Sequence, residues 1–241
     1  MFDNPAASAE RFRNLAAQAA DPIEQALWQT QLARALGLSG DFNAGHELLD
    51  DVDETEATDE LLAWSAIERG RLYRSDAKLS LAFGYFEIAS KLSTTQGLDA
   101  LRIDALHMLA LCLKGEEQIV MTKKAIAEAL ASEQPAARKW LGSLYNNLGV
   151  AYGDAGEWHL AREAFDTALA AQLEVCDVER IFIAKYMLGW AMRNQGQLES
   201  ALEHMTALKA ELSAVGKSDQ YVNAELDLLQ AATRSSIFNH D

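Results

Sequence analysis

Small and apolar residues recur along the chain in a pattern that repeats about every 40 positions. The two clearest copies are LYNNLGVAYGDAGEWHLAREAFDTALA, which begins at Leu144, and AKYMLGWAMRNQGQLESALEHMTALKA, which begins at Ala184. Each copy has a Leu-Gly step, a large residue three positions after that Gly, and a second Gly before an Ala-containing segment. Self-similarity at a period of roughly 20–50 residues is typical of repeat proteins, in which each repeat is one supersecondary unit.

The same pattern continues towards the N-terminus in three further copies. The five copies begin near residues 26, 63, 103, 142 and 182, so successive starts lie 37 to 40 residues apart. Apolar residues follow a helical spacing on both sides of the second Gly, which predicts two helices joined by a short turn in each copy. The chain contains only three prolines, which agrees with long helices. We therefore expect an all-α protein.

Glycines at fixed positions predict how the two helices of a copy pack. One group lies where the first helix is expected to approach its partner too closely for a side chain: Gly70, Gly149 and Gly189. A second group lies between the helices, where the left-handed conformation is inexpensive only for Gly: Gly40, Gly156 and Gly196. Phe86 and Phe165 are expected to fill the gap to the next copy.

Helix boundaries can be predicted at several points. Asp21 precedes a proline and lies three residues before Glu24, which is typical of a helix N-terminus. Residues 8–20 predict an additional N-terminal helix, and residues 219–237 predict a final half-repeat that caps the array. Residues 135–152 predict one uninterrupted helix of about five turns.

This pattern resembles the tetratricopeptide repeat (TPR) family over residues 22–215. The period is longer than the usual one of about 34 residues and is nearer that of HEAT and armadillo repeats. Three features nevertheless favour the tetratricopeptide repeat: the small residue, the aromatic residue three positions later and the Ala–Phe–Ala pattern. The resemblance implies a right-handed α-solenoid of about five helix pairs, with an N-terminal helix and a C-terminal capping helix. We expect residues 1–241 to form a single domain.

Composition excludes several classes of function. With 21 Lys and Arg against 36 Asp and Glu, the formal net charge is −15, whereas nucleic-acid and anionic-membrane binders need a basic surface. Cys112 and Cys176 form no cysteine motif, and the five histidines lack the spacing of a zinc site. We therefore expect neither an enzyme nor a metal or other cofactor. Neither a signal peptide nor a membrane span is predicted, so we expect a soluble, cytoplasmic protein.

The resemblance further implies that a protein or peptide binds in a concave groove lined by the first helices. Residues that follow one another at intervals of three, four and three positions lie on one face of a helix. This 3-4-3 spacing selects four residues in each of the five first helices, and of these twenty residues five are basic and one is acidic. Eight of them are our candidate groove residues: Arg71, Arg74, His107, Lys114, Asn146, Tyr186, Trp190 and Arg193. A basic, aromatic groove suits an acidic peptide or a free C-terminal carboxylate. Lys114 and Asn146 match the family's carboxylate-clamp arrays in residue type only.

Two interpretations of these residues stay open. Arg74, Lys114 and Arg193 fall near predicted helix ends, where the macrodipole alone favours cations. Arg71 could pair with carboxylates inside the stack, and Trp190 could belong to the core. If the groove is functional, Trp190→Ala and Arg71→Ala each weaken binding without unfolding the protein.

The sequence thus predicts a non-enzymatic protein-interaction module that binds an extended peptide or a partner helix. The alternative is a regulatory sensor or assembly subunit that acts through homodimerisation or through a separate transcription regulator. The acidic run at residues 50–60 is interpreted either as a solvated loop leading into a helix N-terminus or as a docking patch for a basic partner.

Overall fold

The computed structural model describes residues 4–53, 58–95 and 97–238, and within these ranges the chain forms thirteen α-helices and no strand. The all-α repeat fold predicted from the sequence is confirmed. Backbone contacts divide the chain into two compact units, residues 1–138 and residues 139–241. The acidic run at 50–60 is described only in part, because residues 54–57 lie outside the described ranges.

The first unit contains a single helix, three helix pairs and one short helix. Its helices are α1 (Pro5–Gln18), α2 (Pro22–Leu38), α3 (Phe42–Asp53), α4 (Asp59–Ser75), α5 (Leu79–Thr95), α6 (Asp99–Ala110), α7 (Gly115–Ala131) and α8 (Pro135–Arg138). The pairs are α2/α3, α4/α5 and α6/α7, and α1 packs against α2. The first helices of successive pairs also touch, α2 with α4 and α4 with α6, so side chains of neighbouring repeats meet along one face.

The second unit contains two helix pairs and a final helix. Its helices are α9 (Leu141–Asp154), α10 (Trp158–Val175), α11 (Val178–Asn194), α12 (Leu198–Ala214) and α13 (Gln220–Phe238). α13 buries Val222, Leu226 and Leu229 against a core that includes Met205 and Leu208 of α12. The predicted additional N-terminal helix and the predicted final helix are therefore both present, as α1 and α13.

The predicted glycine contacts occur within each helix pair. A Cβ atom built on Gly70 would lie 2.5 Å from Phe86, and one built on Gly149 would lie 2.4 Å from Phe165. Each phenylalanine thus covers the glycine of its own pair. Phe165 also lies beside a ring of the next pair, since the centroid of Trp190 is 6.3 Å from its own.

The turn glycines have the left-handed backbone that was predicted. The φ angles of Gly40, Gly156 and Gly196 are 85°, 77° and 78°. Ala77 occupies the corresponding turn between α4 and α5 with a φ of 57°, although it carries a side chain. This turn therefore retains a strain that glycine relieves in the others.

The helix N-terminus predicted at Asp21 is confirmed, whereas the continuous helix predicted over residues 135–152 is not. The Asp21 carboxylate accepts a hydrogen bond from the Glu24 backbone N–H (3.2 Å), which caps α2. The helix predicted over residues 135–152 is interrupted by a turn at residues 139–140. Arg138 folds back towards the end of α7, where its Nε donates to the Ser132 carbonyl (2.9 Å), so α8 completes only one turn.

Candidate functional site

Three arginines of consecutive first helices line one cavity of the first unit. Arg34 lies on α2, and Arg71 and Arg74 lie on α4; with Gly37, Leu38, Leu72, Ser75 and Met108 they surround a volume of about 200 Å³. We call this the arginine cavity. The predicted residues Arg71 and Arg74 lie on one face of α4, and Arg34 lies beside them because α2 packs against α4.

Two buried carboxylates lie beside these arginines. Arg71 Nη1 is 2.5 Å from Glu68 Oε1, and Arg71 Nη2 is 2.6 Å from both carboxylate oxygens of Asp104 on α6. Arg34 Nη1 lies 3.8 Å from the same Glu68 oxygen. The second oxygen, Glu68 Oε2, is buried and has no hydrogen-bond partner in the described part of the chain. The main role of the Arg71 side chain is therefore an ion pair that links α4 to α6.

Burial and the neighbouring charges shift the pKa values of these groups. Burial alone would lower the pKa of Arg71, but Asp104 and Glu68 outweigh it, so the pKa lies above its ordinary value and the guanidinium stays charged. Burial raises the pKa of Glu68, whereas Arg71 and Arg34 oppose this shift. Burial also lowers the pKa of Arg34, and the positive charge of Arg71 adds to this effect.

The charged residues that line the arginine cavity are all arginines. Among the described residues, the carboxylates of Glu68 and Asp104 form ion pairs with Arg34 and Arg71. Arg74 is half-buried and forms no salt bridge within the described ranges. Arg74 is thus the guanidinium most available to a bound anion.

His107 and Lys114 do not join the arginine cavity. His107 is half-buried on α6 and does not line the cavity. The prediction for Lys114 assumed that the first helix of its pair continues to residue 114, but α6 ends at Ala110. Lys114 is therefore the exposed residue before α7 rather than a residue of a first helix.

Tyr186 lines a larger cavity in the second unit. This cavity has a volume of about 680 Å³ and lies among α11, the end of α12 and the start of α13. Its lining is mainly apolar: Phe182, Ile183, Tyr186, Met187, Leu212, Tyr221 and Val222, with Glu179, Lys217, Ser218 and Asp219 at its polar edge. We call it the tyrosine cavity. The Tyr186 and Tyr221 ring centroids are 6.5 Å apart.

The tyrosine cavity differs in charge from the predicted groove. Lys217 Nζ is 3.0 Å from Glu179 Oε1, so the only cation of the lining is paired. The carboxylate of Asp219 accepts hydrogen bonds from the N–H groups of Tyr221 and Val222, which caps α13. Burial raises the pKa of Tyr186, and the nearby Glu225 raises it further, so its hydroxyl stays protonated at neutral pH.

Trp190 and Arg193 are largely occupied by contacts within the second unit. The Trp190 indole is half-buried, with the Trp158 ring at a centroid distance of 4.8 Å and Phe165 beyond it. Arg193 forms an ion pair with Glu225, whose side chain is almost fully buried on α13. The hypothesis that Trp190→Ala leaves the fold intact conflicts with this packing, since the indole contributes to the core around Phe165.

Asn146 is half-buried on α9, apart from both cavities. Its Oδ1 atom is buried and has no hydrogen-bond partner among the described residues. The structure therefore divides the eight predicted residues: Arg71 and Arg74 share one cavity, Tyr186 lines another, and the rest lie elsewhere.

The sequence allowed Arg71 to pair with carboxylates inside the stack, but it did not identify which carboxylates pair with the predicted cations. Glu68 could have been found, because it precedes Arg71 by three residues, a spacing that brings charged side chains together on a helix. Glu225 lies 32 residues after Arg193, and no local pattern connects them.

Metal binding and membrane insertion were also considered for the described residues. They contain no group of three or more His, Cys, Asp or Glu side chains placed to hold a metal ion. They also contain no helix with the length and apolar character needed to cross a membrane.

Comparisons with known proteins agree with this architecture. Residues 140–207 match the family model described as "Tetratricopeptide repeat", which confirms the predicted resemblance there. No curated protein sequence matches the chain.

Solved structures extend the likeness in fold to most of the chain. BtubC (BKLC) from P. vanneervenii is 22% identical over 90% of this chain and 92% of that chain, with a TM-score of 0.69. A P. anserina protein with nearly identical TPR-like repeats is 20% identical over 79% of this chain and 96% of its own, with a TM-score of 0.60. A Rap protein solved in complex with competence and sporulation factor is 13% identical over 95% and 87%, with a TM-score of 0.53.

Proposed function

We propose that this chain is a protein-interaction module and that its arginine cavity binds an acidic side chain or a C-terminal carboxylate of a partner peptide. The observation that carries this proposal is the position of Arg74, which lines the cavity without a salt bridge within the described ranges. A carboxylate can accept two parallel hydrogen bonds from one guanidinium, which gives both affinity and orientation.

The buried ion pairs support binding by fixing the cavity before the ligand arrives. Arg71 is bonded to Glu68 on its own helix and to Asp104 on α6, so its side chain has little freedom left to lose. A rigid wall reduces the entropy cost of association. Arg34 also lines the cavity, and about a third of its side chain is exposed.

The tyrosine cavity is proposed to anchor an apolar side chain of the partner. Its volume of about 680 Å³ accommodates a large side chain, and Tyr186 presents both an aromatic face and a hydroxyl. Clefts lined mainly by apolar residues with a few polar groups are the usual binding sites of proteins. Aromatic residues also contribute strongly to the binding energy of interfaces.

Selection from a random peptide library displayed on phage tests the arginine cavity. We expect the protein to enrich peptides with Asp, Glu or a free C-terminal carboxylate, and we expect their affinity to fall as salt is added. Arg74→Glu should weaken the selected peptides by at least about tenfold, because it places a carboxylate against the ligand. Lys91→Glu, an equal charge change at an exposed position on α5, is the matched control. Equal losses in both variants would refute the site.

A separate comparison tests the tyrosine cavity. Tyr186→Ala should weaken peptides that carry a large apolar residue, whereas Leu173→Ala, at an exposed position on α10, should leave their affinity unchanged. Unchanged binding by Tyr186→Ala would remove this cavity from the proposal and leave the arginine cavity in place.

The alternative function is a regulatory sensor or an assembly subunit. The fold shared with the Rap protein solved in complex with competence and sporulation factor is consistent with a peptide-responsive role. A sensor that acts through homodimerisation should change its mass in light scattering when a selected peptide is added. A mass that is the same with and without peptide would favour a simple binding module.

A further inference from the structure

A smaller cavity of the second unit is lined by the turn before α9, the end of α10 and the start of α11. Its volume is about 280 Å³, and its lining residues are Lys139, Trp140, Gln172, Val175, Asp177 and Arg180. We call it the glutamine cavity. It shares no lining residue with the arginine cavity or with the tyrosine cavity.

Gln172 brings an unsatisfied polar atom to the glutamine cavity. The residue is only 3% exposed, and its amide packs so closely on Gly142 of α9 that a Cβ atom there would overlap it. Gln172 Oε1 is buried and has no hydrogen-bond partner among the described residues. Burial of an unpaired amide oxygen costs free energy, so a ligand that donates a hydrogen bond to this oxygen would recover part of that cost.

The charged groups of the glutamine cavity favour an anion. Arg180 Nη1 donates to the Ser143 hydroxyl of α9, and Arg180 Nε lies 3.3 Å from Asp177 Oδ2. Asp177 is the one carboxylate among the six lining residues, and it also accepts a hydrogen bond from the Arg180 backbone N–H (3.1 Å). Lys139 is exposed and forms no salt bridge within the described ranges. The carboxylate of the lining is therefore engaged by Arg180, whereas the ammonium group of Lys139 is available to a ligand.

Two helix N-termini add to this positive potential. α9 and α11 begin directly after the lining residues Trp140 and Asp177, and α9 begins without a side-chain cap. The N-terminus of a helix carries a partial positive charge and unpaired N–H groups, which favour an oxyanion. At the end of α10, the carbonyl of Gln172 accepts a hydrogen bond from the Asp177 N–H (3.3 Å), so this carbonyl is already paired.

Trp140 and Val175 form the apolar wall of the glutamine cavity. The Trp140 side chain is half-buried, and Val175 is 41% exposed. An aromatic ring packs favourably against an indole. A protein cavity of about 150 Å³ can hold a benzene molecule. The volume of about 280 Å³ therefore has room for one ring and a charged substituent.

From these observations we propose that the glutamine cavity binds a small aromatic oxyanion, in which a phosphoryl or carboxylate group and a hydrogen-bond donor are attached to one ring. Lys139 and the two helix N-termini bind the oxyanion, Trp140 packs against the ring, and Gln172 Oε1 accepts the hydrogen bond. This site uses none of the residues proposed to bind a peptide. It can therefore fail without any effect on the proposed function, and the reverse also holds.

NMR spectra of the whole chain with ¹⁵N-labelled tryptophan detect a ligand at Trp140. Its indole N–H signal is the one that Trp140→Phe removes. The probes are phenyl phosphate, benzoate, inorganic phosphate and phenol. At least one of the two aromatic oxyanions should shift the Trp140 signal with a dissociation constant at least about tenfold lower than those of inorganic phosphate and phenol, because it combines charge and ring. The comparison of phenyl phosphate with benzoate identifies the preferred oxyanion.

A charge reversal tests the position of the anion. Lys139→Glu should weaken the better aromatic oxyanion by at least about fivefold, because it replaces the unpaired cation with a carboxylate. Lys209→Glu, the same charge change at an exposed position on α12, is the matched control and should leave the affinity unchanged. The indole signals of the other four tryptophans report whether each variant keeps its fold.

A hydroxyl group on the ligand tests the role of Gln172. The better aromatic oxyanion is compared with its three hydroxylated forms, in which the hydroxyl occupies each ring position in turn. At least one form should bind the wild type about threefold or more tighter than the parent, as expected for one added hydrogen bond. Gln172→Met retains the length of the side chain but removes the acceptor, so this advantage should disappear.

Three outcomes would overturn the proposal. The first is that neither aromatic oxyanion shifts the Trp140 signal more readily than inorganic phosphate or phenol. The second is an equal loss of affinity in Lys139→Glu and Lys209→Glu. The third is a hydroxyl advantage that is absent in the wild type or that persists in Gln172→Met.

Discussion

Arg71 Nη2 on α4 lies 2.6 Å from each carboxylate oxygen of Asp104 on α6. The same guanidinium also binds Glu68, one turn earlier on its own helix. A residue that the sequence pattern places among the ligand-binding cations is therefore part of the contact between two successive repeats. The adjacent Arg74 lacks such a contact within the described residues. Substitutions at these two positions should consequently have different effects.

Arg71→Ala should destabilise the protein by about 3–5 kcal/mol, because it leaves the buried charges of Glu68 and Asp104 without their cation. Chemical unfolding in urea, followed by circular dichroism, measures the change in the free energy of unfolding. Arg74→Ala is the matched control and should change it by no more than about 0.5 kcal/mol. Similar small effects in both variants would show that the buried network does not hold α4 against α6.

The difference between these two arginines shows what the sequence can and cannot predict. The repeat pattern predicted the helix pairs because glycine requirements at close contacts and turns are local, as at Gly149 and Gly156. It could not predict the charge state of the groove, because Asp104 lies 33 residues from Arg71 and Glu225 lies 32 from Arg193. Those pairings depend on the rotation of each helix against the next.

The positions at which helices end were a second reason why part of the site could not be predicted from the sequence. Lys114 followed the spacing expected for a first helix, but α6 ends four residues earlier, so the spacing no longer describes its position. The cavity around Tyr186 depends on where α13 packs against α11 and α12, which the weakly repetitive C-terminal segment does not specify.

Gly149→Ala should destabilise the protein by about 1–3 kcal/mol, because the added methyl group would overpack the contact with Phe165, 2.4 Å away. Gly84 provides a control within a helix, since a Cβ atom there meets nothing within 4 Å. Gly84→Ala should stabilise the protein by about 0.5–1 kcal/mol through the better helix propensity of alanine. Thermal unfolding of the two variants should therefore shift in opposite directions, and a shift in the same direction would contradict the close contact.

Ala77→Gly should raise the free energy of unfolding by about 0.5–1 kcal/mol. Ala77 has a φ of 57°, a left-handed conformation that costs a non-glycine residue about 1–2 kcal/mol, and the greater freedom of glycine in the unfolded chain offsets part of the gain. Gly156→Ala, at the corresponding turn between α9 and α10, should have the opposite effect. Urea titrations of both variants measure the two changes, and a destabilising Ala77→Gly would show that the turn is not strained.

His46 should make the protein less stable as the pH falls below neutrality. Both ring nitrogens are buried without a hydrogen-bond partner in the described structure, and the ring lies against Tyr73 with a centroid distance of 4.3 Å. Burial lowers the pKa of His46, and the positive charge of Arg69 lowers it further, whereas Asp50 acts in the opposite direction. Lys78 also lowers the pKa of this group and Asp76 raises it, both more weakly.

The sign of the pH effect follows from the proton affinities of the two states. Well above the ordinary histidine pKa of about 6.5, His46 is neutral in both states and contributes no pH dependence. As the pH falls through that value, the unfolded chain takes up a proton that folded His46 resists, so stability declines until the folded pKa is passed. Urea unfolding between about pH 7.5 and pH 5 should therefore show a smaller decline in His46→Gln than in the wild type. His159→Gln, at an exposed position, is the control and should retain the decline of the wild type, whereas identical curves for all three proteins would exclude His46 as its source.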